Sequence, residues 1–499
     1  MKKKPRNFDV FILGAGPAGL SAAIRLLDMG YAVGMLEQEQ FPREQIGESL
    51  SPGIYNIFEY LNATHLLEDT AYGKNISAKV IWENKEQIYH RSSQENGGTI
   101  VDRSKLDQEL LKFAVSKGLF LIQPGKLKQS IHAQNGWILE MIDNLIEVKI
   151  AAKIVLDARG RKGTLLKERI HVAPSSIAAW THIDSTFIFK ETVIEAVEEG
   201  WLWGAPVSSN RYRIMAFTDS ISLKTDSSSS SHLLDLVNKT KLFSPFANKI
   251  ESSFIETCSV TSYVCDNPWD KEFIKIGEAA FTLDPLSSTG VEKAMRFSLQ
   301  VAIAVNTFFK DPYSQHPKDF YEEKLIESVV NHAHWTAEYY QQAWPSSVET
   351  EFWKKRANFR LDISKNKSDF ASKLVNEFNK ERHVFENIQN EAIPVDYILN
   401  RLWNEELIVS PKVTYESVYS INNDCIEIKQ AICHPNLERP MIYLDHVELN
   451  SVFKYIKGNK VSTAIGNLNS SMPLDKAKKI LVFLWSKQLL LVNEYSVKI

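Results

Sequence analysis

One stretch near the N-terminus limits this chain to few architectures: Val10-Phe-Ile-Leu-Gly14-Ala-Gly16-Pro-Ala18-Gly19, with Glu37 closing a second apolar run. It reads as a short buried strand, a Gly-x-Gly-x-x-Gly turn and a helix start. Gly14 permits a tight turn, Gly16 lets backbone approach a phosphate, and Gly19 lets helix and strand pack closely. The helix start offers free N–H groups and the positive end of its dipole to a pyrophosphate. Ala32–Leu36 predicts the next parallel strand, and Glu37 stands about 20 residues beyond the turn, where an acid accepts ribose hydroxyls. The expectation is a Rossmann-type unit holding a dinucleotide, with Gly14, Gly16, Ala18, Gly19 and Glu37 as its contacts. An ordinary glycine-rich turn would leave Glu37 unexplained.

With 499 residues, 44% hydrophobic and 24% charged, the chain has a globular composition and a length that predicts two or three domains. A formal net charge of −3 gives no basic field for nucleic acid. No apolar run has the length of a membrane span. Lys2-Lys3-Lys4 ahead of Phe8–Leu13 has the outline of a signal peptide, but the apolar run leads straight into the phosphate turn, as a core strand does. Cys258, Cys265, Cys425 and Cys433 lack Cys-x-x-Cys spacing. That predicts reduced thiols and cytoplasmic residence in place of a disulfide framework or zinc site. His332 and His334 are two apart and do not share a helix face, so no metal site is expected.

The expected organisation interleaves two folding units. Residues 1–165 and 271–310 form the nucleotide-binding domain, with a hairpin insertion near 75–100 carrying Val80–Trp82 and Gln87–Tyr89. That domain includes helices near Tyr55–Leu66 and over Asp102–Ser116, where Leu106, Leu110, Leu111 and Ala114 fall at helical spacing. Leu119–Gln123, Gly136–Asp143 and Asn144–Ala151 alternate as strands do, and Ile154–Asp157 runs into the turn Ala-Arg-Gly160-Arg-Lys-Gly163. Residues 166–270 are strand-rich, an antiparallel substrate-binding sheet with Ser227–Ser231 as an exposed loop. Phe273–Ala280 returns to the first domain, and Gly290–Phe309 is a helix. Residues 311–393 are helical and aromatic, and 394–499 form a small α+β module. There Leu474, Ala477, Leu481 and Leu484 make a helix stripe before the strand Leu489–Val492, a winged-helix-like order.

Three separated segments, Gly14–Gly19, Asp157-Ala-Arg-Gly160 and Gly277-Glu278-Ala-Ala-Phe-Thr-Leu-Asp284-Pro285, together resemble the FAD-binding pattern of the p-hydroxybenzoate hydroxylase fold. Within that fold the motifs resemble flavin-dependent halogenases (the tryptophan halogenase superfamily) and their relatives, over about residues 8–360. The carriers are Phe41-Pro42-Arg43-Glu-Gln-Ile-Gly47-Glu48-Ser49, Trp201-Leu-Trp203-Gly-Ala205-Pro206, Phe281…Pro285…Ser288-Thr289-Gly290, and His334-Trp335…Tyr339-Tyr340 followed by Phe352-Trp353.

The resemblance implies FAD held by Gly14, Gly16, Ala18, Gly19, Glu37, Arg43, Ser49, Arg103, Glu278, Asp284, Pro285 and Gly290. Glu278 replaces the aspartate usual on the ribityl chain. It also implies that reduced flavin and O2 form a C4a-hydroperoxide and that, in a halogenase, chloride or bromide attacks it. Backbone N–H groups of Thr289 and Gly290, beside Ser288, would make a halide-sized nest. Trp201 and Trp203 would keep substrate from the flavin, and a lysine would handle the electrophile. Lys74 is its best counterpart and Lys79 the neighbour; burial would lower the pKa of such a lysine.

Where halogenases of free tryptophan carry Glu, this chain has Ser287, and Ala205 stands where Ile is usual. Ser287-Ser-Thr-Gly-Val-Glu-Lys-Ala is similar to the wording in relatives that oxygenate peptide-bound tryptophan. The implied function is an FAD-dependent monooxygenase hydroxylating an aromatic ring, free or borne by a peptide, protein or carrier. Halogenation of an aromatic or indole substrate is the alternative. A flavin-dependent reductase and a non-catalytic maturation partner, docking a polypeptide through the C-terminal module, are further alternatives. With one dinucleotide fingerprint, electrons from NAD(P)H would arrive through a separate flavin reductase.

Overall fold

The computed structural model describes residues 5–493 apart from 75, 83–84, 90–97, 144–145, 185–190, 209, 221–228, 252, 344–349, 365, 367, 381–394 and 457. The chain is a mixed α/β protein that divides into two compact units, Met1–Asn379 and Lys380–Ile499.

The first unit rests on two sheets. In one, Arg6–Leu13 lies between the parallel strands Val33–Leu36 and Ile146–Asp157, with Phe120–Ile122 and Phe273–Lys275 continuing the parallel order outward. Val10–Leu13 is fully buried, as expected of an unbroken apolar run at the centre of a parallel sheet. The hairpin Gly125–Ala133/Gly136–Asp143 extends this sheet antiparallel from Ile146–Asp157. The helices Pro17–Asp28 and Gly290–Lys310 pack on each other.

The second sheet has seven strands in the order Glu256–Ser259, Ser176–Asp184, Arg211–Asp219, Gly200–Ser208, Thr192–Val197, Ala78–Trp82, Lys85–Tyr89. The hairpin expected near 75–100 thus forms the edge of this sheet, where Ala78–Trp82 pairs parallel with Thr192–Val197. Alternation along the strands gives the two faces different partners. Ala179, Leu202, Ile214 and Ala216 pack under Leu233, Leu236 and Val237 of the helix Ser229–Asn238. The opposite face presents Trp180, Trp201, Trp203, Met215 and Phe217 to Tyr340, Phe352 and Trp353. Tyr340 comes from the helix His316–Gln342, and Phe352 and Trp353 from Glu351–Ala357.

Some expectations are corrected. The segment near Tyr55–Leu66 is two helices, Ile54–Tyr60 and Thr64–Thr70, parted at Asn62, which takes a left-handed φ of 55°. Ser229–Ser231, read as loop, opens a helix, while 221–228 lie outside the described residues. The strand after Gly136–Asp143 is Ile146–Asp157, Asn144 lying outside the described residues. Asp102 is the cap of Arg103–Ser116, its Oδ1 accepting from Ser104 N at 3.0 Å and Lys105 N at 3.3 Å.

The second unit holds the antiparallel strands Asn459–Lys460, Glu406–Val409 and Leu490–Val492, and a separate hairpin, Thr414–Asn422/Cys425–Cys433. Among the described residues its helices are Val395–Leu402, Leu449–Ile456, Val461–Asn469 and Leu474–Ser486. Ala477, Leu481 and Leu484 are buried as the stripe predicted, but Leu474, at its start, is exposed. Among the described residues no helix is long and apolar enough to cross a membrane.

Candidate active site

The three glycine-bearing segments meet. Gly14 has φ 103°, and a Cβ there would stand 2.6 Å from the Ala158 carbonyl oxygen; one on Gly19 would stand 2.1 Å from the Gly14 oxygen. Gly277 has φ 58° and would place a Cβ 2.7 Å from that of Ala18, so the Ala18 methyl packs against the third segment. Backbone bonds tie the set together: Ala158 N donates to Leu13 O at 2.8 Å and Ile276 N to Asp157 O at 2.9 Å. Asp157, fully buried, anchors Arg159 through Nε at 2.8 Å and Nη2 at 2.6 Å.

A dinucleotide fits what surrounds this turn. The helix Pro17–Asp28 has no side-chain cap, so its first N–H groups are available. A Cβ on Gly16 meets nothing within 4 Å. Arg43 Nε is buried with no hydrogen-bond partner among the described residues, a donor that asks for an acceptor. Glu37 braces the turn, its Oε2 accepting from Ala15 N and its Oε1 from Glu39 N, both at 2.8 Å, with Arg43 Nη2 3.7 Å away. Each of those oxygens keeps a lone pair for a ribose hydroxyl. Glu278 is half-exposed beside Arg161, at 3.3 Å. Ser49 sits in a short strand paired with Ile100. Arg103, expected against the flavin, is engaged inside the protein: it grips Asp107 through Nε and Nη2, each at 3.0 Å, and the Ile46 carbonyl through Nη1 at 2.9 Å. Its role here is to hold the loop that carries Gly47 and Glu48.

Asp284 and Pro285 stand where the chain turns toward the aromatic layer. The buried Asp284 carboxylate accepts from Tyr340 Oη at 2.9 and 3.0 Å and caps the Pro285–Ser287 turn through Leu286 N at 3.1 Å. Burial first, then Asp284, pushes the Tyr340 hydroxyl well above its ordinary range, so it stays a donor. His332 Nε2 lies 3.2 Å from the Asp284 carbonyl oxygen, and burial lowers its pKa. Trp201 stacks on Phe217 with centroids 3.9 Å apart. A small cavity lies between Trp201, Phe217, Asp284, Pro285, Tyr340 and Arg356.

Ser288 takes φ 52°, and the helix Gly290–Lys310 starts at once without a side-chain cap. Of the expected nest, Gly290 faces open space, but Thr289 N donates to Ser287 Oγ at 3.3 Å, and the two hydroxyls are 2.7 Å apart. The side chain that replaces Glu is therefore folded onto the nest.

Neither lysine is where the expectation put it. Lys74 belongs to the small sheet with Thr99–Val101, its side chain 45% exposed and its ammonium 3.8 Å from Glu68. Lys79 pairs laterally with Val193, whereas Ile194 and Ala196 are the cross-strand neighbours of Trp203 and Trp201. Lys79 thus projects to the opposite face of the sheet from the two tryptophans. The desolvation that would activate a lysine is absent at Lys74, and the face is wrong at Lys79.

Sequence reading missed two buried groups. Arg356, in the basic run Lys354-Lys355-Arg356, looks solvated in the sequence but is 3% exposed, ion-paired to Asp219 at 2.8 Å and stacked over Phe352 at 3.7 Å. Glu48 and Arg213 form a buried ion pair that joins the Arg103-held loop to the second sheet. The signal was an arginine inside the apolar strand Tyr212-Arg213-Ile214-Met215. Burial raises the Glu48 carboxyl against the pull of Arg213. Arg213 donates to His182 Nε2 from Nε at 2.9 Å, and burial with Arg213 and Arg211 holds that imidazole down at about 4.

His182 gives stability a sign with pH. The unfolded chain takes up its proton as pH falls through about 6.5, while the folded site stays neutral to about 4. Stability is therefore lost on acidification across that window, by about 2 kcal/mol after discount for partial exposure. Glu48, raised in the fold, works the other way. His182→Gln is expected to flatten the unfolding free energy between those pH values in urea titrations. An unchanged slope would put the acid sensitivity elsewhere.

These features define a dinucleotide-binding flavoprotein fold with an aromatic-lined site at the turn after its third glycine segment. The tryptophan halogenase family model matches residues 92–396, more than half of the chain, and the chain belongs to that family, an FAD-dependent enzyme family of halogenases and oxidoreductases. LodB of Marinomonas mediterranea, assigned as an FAD-dependent oxidoreductase, is 24% identical over 71% of this chain and 98% of its own. The solved structure of QhpG, a peptidyl tryptophan dihydroxylase essential for tryptophylquinone cofactor biogenesis, is similar with a TM-score of 0.70 and 18% identity, covering 97% of this chain and 99% of that one. CmlS, a flavin-dependent halogenase, has the same TM-score at 19% identity, covering 98% of this chain and 96% of its own. Both structures match the fold beyond the stretch in which the sequence motifs lie.

Proposed function

We propose that this chain is an FAD-dependent oxygenase that hydroxylates an aromatic ring carried by a peptide or protein. The observation that carries the reading is Ser287. Its hydroxyl accepts from Thr289 N–H, so one of the two donors of a halide nest already has a protein acceptor. The exposed Lys74 and the misdirected Lys79 support the same choice. The likeness to QhpG, a peptidyl tryptophan dihydroxylase, supports a peptide-borne ring.

When bound and reduced, FAD supplies oxygen in an activated form. Gly14, Gly16 and Gly19 shape the turn that takes the pyrophosphate, Glu37 and Arg43 the ribose and phosphate side, and Glu278 the ribityl chain. Asp284, held by Tyr340, fixes the turn through Pro285 and Ser288 that leads into the uncapped start of Gly290–Lys310, whose amides would stabilise negative charge on a bound flavin. Trp201 and Trp203 wall off the aromatic layer, excluding water and direct contact between ring and flavin. Reduction by NAD(P)H through a separate reductase accords with the single dinucleotide fingerprint. In the second unit, the order helix, strand, helix, helix, strand over 449–492 supports a winged-helix-like module that docks the polypeptide.

The test is anaerobic reduction of the flavin-loaded protein, then O2, bromide, indole and a tryptophan-containing peptide, with products read by mass. The expected product is peptide carrying added oxygen, at an unchanged rate in Lys74→Ala. Brominated indole, lost in Lys74→Ala, would overturn the reading in favour of a halogenase.

A further inference from the structure

Strands Ser176–Asp184 and Arg211–Asp219 bring His182, Arg211 and Arg213 to one end of the second sheet. His182 is opposite Arg213, and Arg213 is opposite Ala205, so His182 and Arg213 lie on the face that carries Trp201 and Trp203. Arg213 sends two N–H groups to His182 Nε2, from Nε at 2.9 Å and Nη2 at 2.7 Å. Nε2 must therefore carry the lone pair, and the ring hydrogen sits on Nδ1. Arg211 Nη2 stands 3.0 Å from that same Nδ1. A guanidinium has only donors, so two N–H groups face one another with no acceptor between them among the described residues. Protonating the ring would add a third positive charge and relieve nothing.

The charges around the cluster decide what belongs there. The charge of Arg213 is already matched by buried Glu48. Arg211 is 43% exposed, and its carboxylate partner among the described residues is Glu44, 3.3 Å away and 69% exposed. Among the described residues Glu44 is held only through Arg211 Nη1, which leaves Nη2 facing His182, and exposed pairs of this kind are weak. A ligand carboxylate bridging Arg211 Nη2 and His182 Nδ1–H would satisfy both donors with charge-assisted bonds.

We infer that His182 and Arg211 form a carboxylate-recognition site, seated on Arg213, that reads an acidic group borne by the aromatic substrate. The source is either the carboxylate of a free aromatic acid or an acidic side chain near a peptide-borne ring. The site is a specificity element; it rests on the oxygenase reading only in assigning the ring as the reacting group.

The test is binding to the flavin-loaded protein without turnover, so a failed hydroxylation assay and a failed inference remain distinguishable. Calorimetry compares indole-3-acetate with neutral indole-3-acetamide, and a peptide Asp-Trp with Asn-Trp. The carboxylate member of a pair is expected to bind about tenfold tighter, one charge-assisted contact's worth; which pair shows the larger ratio identifies the source. Arg211→Gln is expected to erase the preference and Glu44→Gln to enlarge it, a pair of opposite signs that a merely structural role would not produce. Equal affinities within both pairs, or a preference that survives Arg211→Gln, overturns the inference. Acetate with 15N-imidazole NMR covers the case in which no indole binds. A His182 Nδ1 shift lost in Arg211→Gln supports the site, and no shift overturns it.

Discussion

Gly19→Val is expected to be purified without flavin and with a clearly lowered Tm, whereas Gly16→Val is expected to lose flavin at an unchanged Tm. The two glycines belong to one fingerprint but face different obstacles. A Cβ at Gly19 would lie 2.1 Å from the Gly14 carbonyl oxygen, with the Ala158 methyl at 3.2 Å. Neither neighbour can move without shifting the turn or the sheet. The helix Pro17–Asp28, buried from Ala18 to Ile24, would have to leave its seat against the central strand. Overpacking of this kind costs about 1–3 kcal/mol, and more where backbone must shift. In a unit of this size that corresponds to a Tm fall of about 1–4 °C, and more where the backbone shifts. At Gly16 a Cβ meets nothing within 4 Å among the described residues, and φ is −76°. Valine adopts that backbone without strain, and its Cβ points into the open space at the helix start that a pyrophosphate needs. Calorimetric scans and the flavin absorbance of the purified variants separate the two effects. A yellow Gly16→Val protein would remove the pyrophosphate from this turn.

The nucleotide half was legible because its signals are local. Gly14, Gly19 and Gly277 each answer a close backbone or methyl approach, and such approaches leave a glycine in the sequence wherever they occur. Period-two alternation likewise marked Gly136–Asp143 and the Trp201/Trp203 face. What escaped were partnerships between distant strands. Nothing near Lys74 shows that it will lie on a small sheet beside Glu68. Lys79 was misjudged because the parallel register with Thr192–Val197 decides its face, and register over more than a hundred residues has no local trace. Arg356 follows two lysines and has the look of a solvated helix end, yet Asp219, Ser176 and Phe352 enclose it. Ser287 was legible as a departure, but its hydrogen bond to Thr289 N follows from the left-handed turn at Ser288, which the sequence does not display.

Arg356→Met is expected to lower unfolding free energy by about 3 kcal/mol, the low end for breaking a buried ion pair. Methionine keeps much of the volume and can still lie against the Phe352 ring, so cavity formation is a minor contribution. What is lost is polar. Arg356 Nη1 pairs with Asp219 Oδ1 at 2.8 Å, and Nη2 donates to Ser176 Oγ at 2.6 Å. Asp219 would be left with Lys355 alone, a partly exposed cation that compensates it incompletely. Asp219→Asn removes the charge that needs compensation but leaves Arg356 buried without its anion. Each single substitution should therefore cost more than its share of the double. Urea unfolding of the two single variants and the double variant should give a coupling of about 1–3 kcal/mol. Simple additivity would mean that the pairing of Arg356 with Asp219 adds nothing to the fold, and that the cost of Arg356→Met lies in its contacts with Ser176 and Phe352.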